Sequence, residues 1–134
     1  MIELSGVTHA FGNGPARRTV LDDVSVRLVE QRIGVVGANG SGKSTFARLL
    51  NGLVLPDRGT VTVDGLDAKK DGKEVRRRVG FVFTDPDAQI VMPTVQEDVA
   101  FGLKRRGHST AEVAALVAKA LDDFGLSDLA DSAA

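Results

Sequence analysis

One short glycine-rich segment constrains this chain more than any other feature. Residues 37–44 read GANGSGKS, which satisfies the phosphate-loop pattern Gly-x4-Gly-Lys-Ser. In such a loop, glycines let successive backbone N–H groups curl around phosphate oxygens, and a following helix N-terminus favours the anion. An apolar run at 33–36 precedes the motif and a helix-forming segment at 45–51 follows it, as the motif requires. The sequence therefore predicts a strand, a loop and a helix that bind a nucleoside triphosphate.

The side chains of the loop have separate predicted roles. Lys43 is expected to reach the β- and γ-phosphates, and the Ser44 hydroxyl is the predicted Mg²⁺ ligand. The other loop residues are expected to contribute mainly backbone N–H groups. The predicted phosphate-binding residues are Asn39, Gly40, Ser41, Gly42, Lys43, Ser44 and Thr45.

Composition excludes several other classes of function. The 134 residues suffice for one domain with a single core, and 43% hydrophobic with 26% charged residues is ordinary for a globular protein. A net charge of −1 gives no basic field for nucleic acid, so no nucleic-acid partner is expected. The chain has no cysteine, which excludes disulfides and thiolate metal sites. No apolar run has the length of a spanning helix, so any membrane role is expected to come through a partner.

The pattern of apolar residues predicts a mixed α/β order. Half-buried strands are predicted at 2–7, 24–29 and 60–63, the last ending in an Asp64-Gly65 turn that indicates a hairpin. A continuous apolar run at 33–36 predicts a strand covered on both faces, and another apolar strand is predicted at 79–83. Two Ser/Thr-x-x-Glu capping boxes, at Thr94 and Ser109, predict helices ending near 103 and 124. One face of the second helix is predicted to be buried and comprises Val113, Leu116, Val117, Ala120, Leu121 and Phe124.

The segments around the loop resemble those of ABC ATPases. The resemblance is carried by residues 22–26, 49–53, 56–61, 79–83 and 93–102, which read DDVSV, LLNGL, PDRGTV, VGFVF and PTVQEDVAFG. The last block, together with DPDAQ at 85–89, is similar to the ATPase subunits of energy-coupling-factor importers, and among these to the biotin and cobalt subgroups.

This resemblance implies a fold and a function. The implied fold class is α/β: a phosphate-loop core with an N-terminal antiparallel β portion and the start of the helical subdomain. Residues 1–134 resemble only the first half of the family domain, so a partial nucleotide-binding domain, with its C-terminal half missing, is expected. The family's Leu-Ser-Gly-Gly-Gln signature, Walker B glutamate and switch histidine are not among these residues, so no catalytic residue is assigned.

The same resemblance implies the cofactors and partners. ATP and Mg²⁺ are the expected cofactors, and the implied activity of the full-length family is ATP hydrolysis coupled to uptake of a vitamin or metal ion. The implied partners are a second ATPase subunit, in a homo- or heterodimer, and a membrane-embedded transport subunit. The expected location is cytoplasmic, peripheral on the inner face of the cell membrane.

Three positions outside the phosphate loop have interpretations that depend on the resemblance. Phe11 occupies the place where the family stacks an aromatic ring on adenine, although an ordinary core phenylalanine is the alternative. Thr84 stands where the family has its Q-loop glutamine, and a hydroxyl is a weaker mimic of that amide. Gln89 is interpreted as part of the surface that faces the membrane subunit, with a solvated loop residue as the alternative.

Two other functions fit the phosphate loop by itself. Asp85 follows an apolar run and would bind Mg²⁺ through water in a compact, self-sufficient NTPase or kinase, although Pro86 rather than an acidic residue comes next. A nucleotide-binding module without catalysis is the third hypothesis.

Overall fold

The fold is described by a computed structural model that covers residues 1–85, 89–104 and 106–134. The chain divides into two compact units, Met1–Val82 and Phe83–Ala134. The first unit holds the β-sheet and the phosphate loop, and the second holds two helices.

The first unit is built on a four-stranded antiparallel sheet. Its strands are β1 (Ile2–Phe11), β2 (Arg18–Leu28), β3 (Arg58–Val63) and β4 (Leu66–Asp67), in the spatial order β2-β1-β3-β4. A short 3-10 helix, Gly14–Ala16, connects the two longest strands, whose register runs from Ile2 opposite Leu28 to Phe11 opposite Arg18. The predicted antiparallel β portion is therefore confirmed, as is the hairpin, which turns at residues 64–65 between β3 and β4.

A β-bulge in β1 changes which side chains face the core. The register of β1 against β2 shifts between Leu4 and Val7, so the buried positions change from even to odd residue numbers and include His9. Helix α1 (Lys43–Leu50) packs its Leu49 on this inner face. The buried cluster of the unit comprises Leu4, Val7, Leu49, Val61 and Ala68. The helix that follows the phosphate loop is thus fixed to the sheet by apolar burial.

A third helical element completes the first unit. Helix α2 (Gly72–Arg78) buries only Val75, and its last turn carries three arginines beside the free carbonyl groups of the helix C-terminus. Ahead of it, the Asp67 carboxylate accepts hydrogen bonds from the backbone N–H groups of Lys69 and Lys70. Those bonds hold the pKa of Asp67 below its ordinary value.

The second unit contains α3 (Val95–Phe101) and α4 (Thr110–Asp123). Both helices begin with the predicted capping boxes, Thr94 with Glu97 and Ser109 with Glu112. In the second box, the Ser109 backbone N–H donates to the Glu112 carboxylate over 2.7 Å, and the Glu112 N–H donates to Ser109 Oγ over 3.3 Å. Both capping predictions are confirmed.

Two strands predicted from continuous apolar runs do not form. Among the described residues, neither 33–36 nor 79–83 belongs to a strand of the sheet. Val36 is 93% exposed and Val82 is 90% exposed, although a strand of a parallel sheet has both faces covered. A central strand needs a hydrogen-bonding neighbour strand on each side. The four described strands pair only with one another, so neither apolar run has a partner strand in the described sheet.

The apolar face predicted for α4 is only partly correct. Val117 and Leu121 are buried, but Leu116 and Phe124 are exposed. Helix α3 and the short C-terminal 3-10 helix Ser127–Leu129 are too small to cover the whole stripe within this unit. In the described part of the chain, no helix combines the length and hydrophobicity needed to cross a membrane.

Candidate functional site

The phosphate loop joins residue 36 to α1 through a tight backbone path. Gly42 takes the N-cap position of α1 with a φ of +94°, which is in the left-handed region. A Cβ atom at this position would lie 2.9 Å from Val20 Cγ1 on β2. Since glycine has no side chain to accept from the first-turn N–H groups of α1, they remain available to an anion.

Lys43 is the first residue of α1, and its side chain folds back over the loop. Its ammonium group donates to the carbonyl oxygens of Gly37 and Ala38, each over 2.8 Å. The loop therefore encloses a positive charge at the N-terminal end of a helix, where the backbone dipoles also favour negative charge. Lys43 is partly buried and Thr45 is buried, while Ser44 presents its hydroxyl at the surface.

A pocket of about 490 Å³ connects the loop to the β1–β2 hairpin. Six of the predicted site residues line it together with Phe11, so the structure brings these residues to one place. Ser41 is the exception, because its exposed side chain lies next to Gly37, where an added Cβ atom would be 2.7 Å from Ser41 Oγ. The described residues that line the pocket are Phe11, Arg18, Val20, Asn39, Gly40, Gly42, Lys43, Ser44 and Thr45, and none of these nine is acidic.

Phe11 ends β1 and forms one wall of the pocket. Its side chain is 48% exposed, so it is not the core phenylalanine of the alternative interpretation. The ring meets His9 edge to face, with 4.8 Å between the ring centroids and 87° between the planes. The contact with His9 therefore restricts the position of the Phe11 ring. The stacking of Phe11 on adenine remains a prediction.

Beside the end of β1 that carries Phe11 lies a small charged cluster, in which Arg17 and Asp57 are exposed and His9 is buried. The Asp57 carboxylate accepts from the Ala10 N–H over 2.8 Å and lies 3.2 Å from the Arg17 guanidinium. The bond from Ala10 first, and then the charge of Arg17, hold the pKa of Asp57 below its ordinary value. His9 Nδ1 is 3.8 Å from the same carboxylate, and neither His9 ring nitrogen has a hydrogen-bond partner among the described residues. This cluster fixes the end of β1 that carries Phe11.

The chemistry of the pocket fits a nucleoside triphosphate and Mg²⁺. Two cationic side chains and a helix N-terminus face the same space as the hydroxyl groups of Ser44 and Thr45. Mg²⁺ in such sites takes one or two protein ligands and completes its shell with phosphate oxygens and water. Accordingly, a single hydroxyl suffices on the protein side, and the described residues include no cluster of three acidic or His side chains that would hold a metal by itself.

The loop of the second unit contains the remaining predicted positions. Gln89 Nε2 donates to the Asp85 carbonyl oxygen over 3.0 Å, and Gln89 Oε1 accepts from the Phe83 N–H over 3.4 Å. The Gln89 side chain therefore bonds the backbone of its own loop. Thr84 is exposed. Residues 86–88 of the DPDAQ block lie outside the described part of the chain.

Arg18 and Val20 line the pocket but were not predicted from the sequence. Both lie on β2, and they reach the pocket because Arg18 pairs with Phe11 in the antiparallel register. The only signal in the sequence was the turn at 12–17, which would have suggested a hairpin that returns the chain to Phe11.

Known proteins match this chain over nearly its whole length. The family model described as ABC transporter matches residues 21–134. An ABC transporter ATP-binding protein of Deinococcus radiodurans is 56% identical over 128 residues, which are 96% of this chain and 55% of the relative. A biotin transport ATP-binding protein of Rhizobium etli is 51% identical over 85% of this chain and 50% of its own length. An energy-coupling factor transporter ATP-binding protein of Symbiobacterium thermophilum is 46% identical over 95% of this chain and 47% of its own length.

A solved structure matches the fold as well. CbiO1 of Clostridium perfringens, part of the ABC transporter complex CbiONQ, superposes with a TM-score of 0.82 at 26% identity. The match covers 98% of this chain and 53% of CbiO1. The chain therefore spans about half the length of the relatives it matches.

These matches confirm the fold class and the resemblance that the sequence predicted. The family model covers the phosphate loop, both capped helices and the sheet apart from β1 and the start of β2, and the relatives include energy-coupling factor and biotin transport proteins. The chain belongs to the ABC transporter family.

Proposed function

We propose that this chain binds ATP with Mg²⁺ and serves as the nucleotide-binding part of an energy-coupling-factor-type importer. The observation that supports this most directly is the pocket, which combines an exposed aromatic ring with the phosphate loop and has no acidic residue in its lining. Phe11 would contact the base, Lys43 and the loop N–H groups would bind the phosphates, and the Ser44 hydroxyl would ligate Mg²⁺. When bound, Mg²⁺ would neutralise phosphate charge.

The proposed role in the whole transporter follows from the relatives. The chain would act in the cytoplasm, at the inner face of the membrane, with a second ATPase subunit and a membrane-embedded transport subunit. ATP hydrolysis there would drive uptake of a small vitamin or metal ion. Support comes from the relatives that are energy-coupling factor and biotin transport ATP-binding proteins. The compact NTPase built on Asp85 gains no support from these relatives.

Titration calorimetry with Mg-ATP on the 134-residue chain tests the binding site. Lys43→Ala removes a charge-assisted contact to phosphate, and such contacts contribute about 1.5–3 kcal/mol. We therefore expect Lys43→Ala to weaken ATP binding by roughly ten- to more than a hundredfold.

Lys73→Ala is a matched control, because Lys73 is an exposed lysine of α2 in the same unit and does not line the pocket. Circular dichroism melting of both variants checks that the loop bonds of Lys43 are not needed for folding. Equal ATP affinity in wild type and Lys43→Ala would contradict the proposed site.

A further inference from the structure

Arg18 is a cation on the pocket wall that the phosphate loop motif does not include. It begins β2, directly opposite Phe11 in the antiparallel register. Residues that face each other across two antiparallel strands project to the same side of the sheet. Phe11 and Arg18 accordingly both line the pocket that contains the phosphate loop.

Arg18 differs from its neighbour Arg17 in whether its charge is paired within the described residues. Among the described residues, its side chain forms no ion pair and no hydrogen bond, whereas the neighbouring Arg17 pairs with Asp57 over 3.2 Å. Arg17 directly precedes β2 and has an extended backbone, and neighbouring residues of an extended chain point to opposite sides, which separates the two arginines. One of them stabilises the charged cluster beside the end of β1, and the other presents its guanidinium to the pocket.

We propose that Arg18 binds the α-phosphate of the nucleotide, an inference that rests on the proposed function and deepens it. With the base on Phe11 and the terminal phosphates in the loop, the ribose and the α-phosphate lie between these two walls. Arg18 is on the Phe11 side of that gap, so the first negative charge within its reach belongs to the α-phosphate. A guanidinium is suited to this contact because its planar set of donors matches phosphate oxygens.

The proposal is tested by calorimetry on the 134-residue chain at fixed low ionic strength, with Mg-ATP and inorganic pyrophosphate as separate ligands. Arg18→Gln should weaken ATP binding by roughly five- to tenfold, somewhat less than a buried charge-assisted hydrogen bond would give, because Arg18 is exposed. Arg18→Lys keeps the charge and should lose less. Pyrophosphate has no α-phosphate, so its affinity should stay within twofold in Arg18→Gln.

Arg27→Gln is the matched control, because it removes the same charge from the far end of the same strand, where Arg27 lies opposite Glu3. It should leave both affinities unchanged. The proposal is overturned if Arg18→Gln binds ATP within twofold of wild type while Lys43→Ala loses binding. Equal losses of ATP and pyrophosphate in Arg18→Gln would also overturn it, because they would indicate general damage to the loop. Absence of ATP binding in wild type would instead reject the proposed function itself.

Discussion

At the scale of single residues, the candidate site depends on side chains that are fixed by neighbours other than the ligand. Phe11 is half exposed, yet His9 and the cluster around Asp57 determine the position of its ring. Lys43 is fixed in the same way by two carbonyl groups of its own loop. A site whose groups are already in position loses less conformational freedom when the ligand binds.

The base-stacking role of Phe11 leads to a prediction with two ligands. Phe11→Ala should weaken ATP and ADP by roughly five- to a hundredfold, since a base stacked on an aromatic ring gains about 1–3 kcal/mol. Inorganic triphosphate should bind as before, because it does not contact the ring. Calorimetry with the three ligands measures both effects.

Phe124→Ala is the matched control, because Phe124 is an exposed phenylalanine of the other unit. It should change none of these affinities. If Phe11→Ala lost inorganic triphosphate and ATP to the same extent, Phe11 would be a residue that maintains the fold of the pocket rather than a base contact.

At the scale of elements, local sequence signals and long-range contacts differ in what they predict. The phosphate loop and both capping boxes were predicted because each is specified by residues within one short segment. Arg18 was missed because its position depends on the register of two strands joined through the turn at 12–17. The run at 33–36 was predicted as a strand and does not form one, since a strand requires partners that an apolar pattern cannot supply.

The capping box of α4 gives the prediction for this scale. Ser109→Ala removes the hydroxyl that accepts from the Glu112 N–H and donates to its carboxylate, and loss of such a cap costs about 1 kcal/mol. Urea unfolding followed by circular dichroism measures the loss. Ser132→Ala is the control, because the Ser132 hydroxyl forms no hydrogen bond with the described residues. It should leave the free energy of unfolding unchanged.

The same box has a defined pH dependence. Hydrogen bonds from the Ser109 N–H and hydroxyl hold the pKa of Glu112 below its ordinary value. Because the folded pKa is the lower one, the stabilisation is present above the unfolded pKa of about 4.3 and is lost as the pH falls through the folded pKa. The cost of Ser109→Ala should therefore be larger at neutral pH than in acid. An equal cost at both pH values would show that the carboxylate is not part of the cap.

At the scale of the whole molecule, the described chain has the parts that are proposed to bind a nucleotide and leaves apolar surface uncovered. Val36 and Val82 are almost fully exposed, and part of the apolar stripe of α4 is exposed as well. Exposed apolar segments without strand partners favour association. A site that binds ATP does not for that reason hydrolyse it. Only contacts that strengthen in the transition state accelerate the chemical step.

The final prediction is that the 134-residue chain by itself binds ATP but hydrolyses it far more slowly than an ordinary enzyme. ABC ATPases, which this chain resembles, complete each site with the signature loop of an opposing subunit and activate water with a Walker B glutamate. Neither the signature sequence nor that motif occurs in these 134 residues. A phosphate-release assay on the purified chain measures the rate, and Lys43→Ala controls for contaminating ATPases. Lys43-dependent turnover of about one per second or faster would contradict the prediction, because that is an ordinary enzymatic rate. Such a result would favour the compact NTPase in which Asp85 binds Mg²⁺.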